Sequence, residues 1–271
     1  MSAVLLLAPL FLDPLLVAEA STMEKRLWEV SVRRFERADA EADYADDAIL
    51  FYGSSSIRLW RSIEDDMAPR PVIQRGYGGA RLSDAKGFVH RVVHPHAARA
   101  IVVFIANDID GRPNQPTPER VGEMFGELLA NIREAHPTTP VLWVEVTPTP
   151  ARFDLWPLVQ QASDEIAARC EDDENAHFVR TADAYLAGGV PNADLFKRDG
   201  IHQNAEGYAV WAGLIHTALD RIVGPVEANE PSPAEVPAAI AASEPREQSS
   251  TRPTTQPVVF EPTQPTLSPE S

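Results

Sequence analysis

The chain has 271 residues, 44% of them apolar, enough to build a substantial core, and it carries a formal charge of −16 with an isoelectric point near 4.8. That acidity argues against nucleic acid and against an anionic membrane surface as partners, because binding phosphates needs a basic face. A single cysteine, Cys170, permits no intrachain disulfide and leaves the redox compartment open.

Residues 1–22 are leucine-rich and contain Ala18-Glu19-Ala20, a small-x-small pattern like that at signal-peptidase sites. No Lys or Arg precedes Lys25, however, and Asp13 interrupts an apolar run too short to anchor a mature chain across a bilayer. The segment therefore reads as either a signal peptide or an N-terminal apolar helix, and export and cytoplasmic residence both stay open. Residues 23–224 form the main domain. Strands are expected at 48–52, 71–74, 100–105, 141–146 and 177–180, where β-branched and aromatic residues run together. Helices are expected at about 23–41, 81–93, 117–135, 155–172 and 204–222. In the third of these, Val121, Phe125, Leu128, Leu129 and Ile132 recur at helical spacing behind a Thr117-Pro118 start. Cys170 falls in the fourth and is expected to fill core space. Strands alternating with helices imply a parallel sheet covered on both faces, so the expected fold is a three-layer α/β/α sandwich with a mostly parallel five-stranded sheet. From 225 to 271 the chain holds ten of its 24 prolines and no glycine, a composition expected to stay disordered as an acidic tail.

In an open parallel sheet, functional groups collect just beyond the carboxyl ends of the strands. The first strand runs into Gly53-Ser54-Ser55-Ser56, the second into Arg75-Gly76-Tyr77-Gly78-Gly79 and the third into Ala106-Asn107-Asp108. Asp199-Gly200-Ile201-His202 precedes the last helix. Each alone is ordinary turn or capping chemistry; their shared placement makes a site. Other groups carry less. His90, His94 and His96 have Pro95 among them and no acidic or cysteine partner, so they read as surface histidines and no metal is expected. Glycines 76, 78 and 79 lack the Lys-Ser/Thr of a phosphate loop and the spacing of a dinucleotide fingerprint, so no nucleotide is expected. The loop from Thr147 to Trp156 should reach the same rim, which brings Arg152, Trp156, Arg58 and Trp60 near substrate, although packing is the simpler role for such aromatics.

The run from Ile49 to Leu59 resembles the first block of the SGNH hydrolases, the GDSL-type esterase/lipase family, and is most similar to the branch of the platelet-activating-factor acetylhydrolase catalytic subunits. Gln74 to Gly79 resembles the second block, Ala106-Asn107-Asp108 the third, and Asp199 to His202 the fifth, the four standing in order over roughly residues 45–220. The resemblance implies a flavodoxin-like sheet and an ester hydrolase without cofactor or metal, acting on a small-molecule ester. Carried over by residue, it implies Ser55 as nucleophile, His202 as base, Asp199 as the acid that orients it, and Ser55, Gly79 and Asn107 as oxyanion-hole donors. A serine hydroxyl needs an imidazole to take its proton, and the imidazole needs a carboxylate to fix its tautomer.

The chain departs from the family pattern in three places. Ser54 replaces the aspartate of G-D-S-L, Ile105 and Ala106 stand where the third block has glycine, and Gln74 stands where asparagine is common. The triad and oxyanion positions are all kept, but what positions the first loop is left to other partners, and Ser54 and Ser56 remain competitors of Ser55. A catalytically impaired binding protein is the alternative function. Within the hydrolase class, a carbohydrate acetylesterase stands beside a lysophospholipase or thioesterase.

Overall fold

The computed structural model describes residues 28–226; the expectations for 1–22, for the start of the first helix and for 227–271 lie outside the described residues. Five strands, β1 (Ile49–Gly53), β2 (Val72–Gly76), β3 (Ala100–Phe104), β4 (Val141–Val144) and β5 (Ala176–Val179), form one sheet in the order β2-β1-β3-β4-β5. Every pairing is parallel. All five lie within two residues of the expected bounds.

Alternation along the strands divides the core into two faces, since successive side chains of a strand point to opposite sides. Leu50, Tyr52, Ile101, Val103 and Trp143 pack on one side with the helix at 28–39 (α1) and with α4 (Leu82–Val92), α5 (Pro118–Arg133) and α6 (Trp156–Glu171). Ile49, Phe51, Val102, Phe104 and Leu142 pack on the other with α2 (Ser55–Leu59), α3 (Ile63–Asp66) and α7 (Ala205–Val223). The architecture is thus the expected three-layer α/β/α sandwich. Cys170 is buried in the first cluster, where desolvation pushes its thiol up to about 12, in keeping with a packing role.

Local signals explain the longer helices. Thr117 accepts the Arg120 N–H and Pro118 opens α5; Asn204 accepts the Gly207 N–H and starts α7. Three short elements were not expected: α2, α3 and a hairpin of β6 (Leu186–Ala187) and β7 (Val190–Pro191).

One expectation is corrected. His96 is no surface residue: it is buried at the foot of the sheet, edge-on to Tyr44 and 3.5 Å from Asp39, both contributed by the segment at the end of α1. His94 lies half-buried with its ring against the Asn131 carbonyl.

Candidate active site

The strand order reverses between β1 and β3, which is where a doubly wound sheet opens a crevice at its carboxyl edge. The chain leaves β1 with the Ser54 N–H donating to the Phe104 carbonyl of β3 at 2.9 Å, and α2 begins at once with Ser55. The replaced aspartate is not needed to hold this helix. The Gln74 amide donates to the carbonyls of Ile57 (2.6 Å) and Trp60 (2.9 Å) at its end, and the Tyr208 hydroxyl donates to the Ser56 carbonyl at 2.9 Å. Gln74 therefore does what a shorter asparagine at that position would reach less far to do.

His202 comes from the turn before α7. Its Nε2 lies 2.9 Å from Ser55 Oγ, and its Nδ1 lies 2.8 Å from Asp199 Oδ2. The other oxygen of Asp199 accepts the backbone N–H groups of Ile201 and His202, at 2.9 and 3.0 Å. Burial works against the charged carboxylate, but these hydrogen bonds from His202 and Ile201 outweigh it and hold Asp199 at about 2. An ionised carboxylate only accepts, so Nδ1 carries a proton, and in the neutral ring Nε2 is then the acceptor that faces the serine. Of the three serines, Ser55 alone meets the imidazole; Ser54 and Ser56 are buried beside it.

The two remaining predicted residues sit on neighbouring strand exits. Gly79 has φ +72, a left-handed conformation that disfavours any side chain, and open space lies where a Cβ would stand. The Asn107 side chain donates to the Ala80 carbonyl at 2.9 Å, which fixes the amide orientation and leaves its second N–H hydrogen without that partner. Next to it, Asp108 accepts the Leu82 N–H at the start of α4 from both oxygens, at 3.2 and 3.3 Å, so the exits of β2 and β3 are tied together twice. Burial drives the Asp108 carboxyl up to about 7, against that hydrogen bond.

A cavity of about 40 Å³ adjoins Ser55, lined by Asn107, Thr147, Arg152, Trp156 and Gln203 among others. The loop after β4 thus reaches the site as expected. Trp60 does not: it is fully buried, stacked on Tyr208 and donating to Asp66 at 2.6 Å. Arg58 is exposed and lies over Gly78. Gln203 was missed by the sequence reading; its position beside His202 was the available signal. Among the described residues, no group of three or more His, Cys, Asp or Glu side chains is disposed to hold a metal ion.

The sequence model of the GDSL-like lipase/acylhydrolase family matches residues 45–210. No curated protein matches the chain. Solved structures share the fold at low identity. A GDSL-like lipase from Bacteroides thetaiotaomicron is 20% identical with a TM-score of 0.58, over 70% of this chain and 97% of its own. A lipase/acylhydrolase from Enterococcus faecalis is 18% identical with a TM-score of 0.51, over 65% and 96%. A protein from Streptococcus pneumonia, provisionally described as a platelet activating factor, is 15% identical with a TM-score of 0.64, over 77% and 100%.

Proposed function

The chain belongs to the GDSL-like lipase/acylhydrolase family, and we propose that it hydrolyses a small carboxylic ester through an acyl intermediate on Ser55. The observation that carries this reading is the continuous path of hydrogen bonds from Ser55 Oγ through the His202 ring to Asp199. His202 takes the hydroxyl proton as the serine attacks the carbonyl, and Asp199 steadies the imidazolium. The proton then passes to the leaving alcohol. Water, activated by the same imidazole, cleaves the acyl-serine and regenerates the hydroxyl.

Negative charge gathers on the carbonyl oxygen at each tetrahedral stage. The Ser55 and Gly79 backbone N–H groups and the Asn107 amide are the donors we assign to it. The bond from Asn107 to Ala80 supports the assignment, because an amide oriented in advance needs no reorganisation as the charge develops. Within the family we favour the branch of the platelet-activating-factor acetylhydrolase catalytic subunits, on the motifs and on the likeness of fold to the Streptococcus protein.

The test is a panel of p-nitrophenyl esters of increasing acyl length, combined with a fluorophosphonate probe and peptide mapping. Turnover with the probe attached to Ser55 is expected. A protein that hydrolyses no ester and leaves the probe unreacted is instead a binding protein on this fold.

A further inference from the structure

Arginines that lose water need a partner, because an unpaired buried charge is costly. Among the described arginines that are buried or half-buried, Arg70, Arg75, Arg81, Arg91 and Arg133 each sit on a carboxylate. Arg152 is the exception. Its one hydrogen bond is a long one, 3.5 Å, to the Ala106 carbonyl, and none of the ion pairs of the described residues includes it. The chain has 40 acidic residues against 24 basic ones, so a carboxylate partner was not scarce.

Arg152 is also held in place. It sits at a kink in the 3-10 turn Pro150–Leu155, with φ −132 and ψ 23. The preceding residue, Ala151, donates its N–H to the Gly200 carbonyl at 3.0 Å, so the turn packs directly on the loop that carries Asp199 and His202. In the cavity that Arg152 lines beside Ser55, a second polar group lacks a partner. Thr147 is 4% exposed and its hydroxyl makes no hydrogen bond. That hydroxyl oxygen has almost no accessible surface, so it is not open to a ligand and recognition at this wall falls to Arg152. Phe104, Ile109, Val146, Trp156 and Val159 form the apolar part of the lining, with Asn107, Thr149 and Gln203 among its polar members.

We propose that this cavity holds the acyl part of a short ester ending in a second carboxylate, with the Arg152 guanidinium pairing that carboxylate. The inference rests on the ester-hydrolase reading above and names its substrate class. The acyl side is assigned because the acyl group stays on Ser55, which lines the cavity, whereas the alcohol leaves when the ester bond breaks. The apolar part of the lining suits the few methylenes between the two carboxyl groups. Hydrolysis at neutral pH consumes one water and yields the alcohol, a dicarboxylate and one released proton.

Proton release is followed with monomethyl succinate and with methyl 4-methylpentanoate, which has the same shape without the charge. The native protein is expected to favour the succinate ester in kcat/KM by at least about tenfold. Arg152→Gln should lower that ratio by about tenfold or more, and Arg152→Lys should restore part of it. Preference for the neutral ester in the native protein overturns the proposal, as does an Arg152→Gln protein that loses both activities equally. If neither these esters nor the p-nitrophenyl panel is turned over, the ester-hydrolase reading falls and this proposal falls with it. Turnover of neutral esters without the charged preference removes this proposal alone.

Discussion

Ser55 Oγ and His202 Nε2 lie 2.9 Å apart although 147 residues of chain separate them. A serine at that distance from an imidazole already anchored to a carboxylate is set up for proton transfer. Ser55→Ala is therefore expected to lower kcat for p-nitrophenyl acetate by at least about a thousandfold while leaving the melting temperature near that of the native protein. Ser54→Ala and Ser56→Ala, which remove hydroxyls not bonded to His202, should cost far less. Steady-state kinetics of the three variants, with circular dichroism as the folding control, decide it.

If Asn107 donates to the developing oxyanion as proposed, Asn107→Ala should lower kcat by roughly a hundredfold or more, with a smaller change in KM. It also cuts the tie to the Ala80 carbonyl. Asn107→Asp keeps the side-chain shape but, like the alanine, offers no N–H to the oxyanion or to the Ala80 carbonyl, so it should be no more active than the alanine variant. Recovery of activity in Asn107→Asp would remove Asn107 from the oxyanion hole.

At Gly79 the backbone has φ +72, and nothing lies within 4 Å of where a Cβ would be. The penalty for Gly79→Ala is thus conformational and not a clash, about 1 to 2 kcal/mol. For a domain of this size that corresponds to a fall in melting temperature of roughly 2 to 8 °C. Activity should fall further than stability does, because relaxing the strain turns the Gly79 N–H away. Differential scanning calorimetry alongside kcat checks both halves.

Asp108 gives a pH signature of its own. Burial raises its carboxyl from an ordinary 3.8 to about 7, so between these values the folded protein binds a proton that the unfolded chain does not. Stability from this group is gained as pH falls from about 7 towards 4, and at pH 8 the buried charge costs on the order of 4 kcal/mol at most. Asp108→Asn keeps an acceptor for the Leu82 N–H without the charge. It is expected to melt above the native protein at pH 8, with the gap narrowing or reversing by pH 5. His96, His136 and His177, all lowered chiefly by burial, act in the opposite sense by losing stability as pH falls below the ordinary histidine range. They are common to both proteins and cancel in the difference. A gap that stays constant from pH 5 to pH 8 would show that Asp108 does not titrate in this range.

The elements that were hard to read are short or depend on distant partners. Helix α2 has five residues and is stabilised by Gln74 and Tyr208 from elsewhere in the chain, so no periodic pattern announces it. Strands β6 and β7 have two residues each around Gly188-Gly189, too few for any alternation to mark strands. His96 follows a proline in a polar-looking stretch and is buried only because α1 and Tyr44 fold back over it. Trp60 looked able to reach the rim from its position near the serine, yet α7 takes it into the core through Tyr208 and Trp211.

The sequence by itself determined the five strands, the bounds of the long helices and the set of residues at the strand exits. Apolar periodicity and capping residues report on a few neighbouring positions, and those signals were strong here. Only the tertiary structure decided the strand order, which of three adjacent serines meets His202, and that Arg152 is left without a carboxylate beside Ser55. Those are relations between segments far apart in the chain, fixed by how the two faces of the sheet are covered, and no local pattern encodes them.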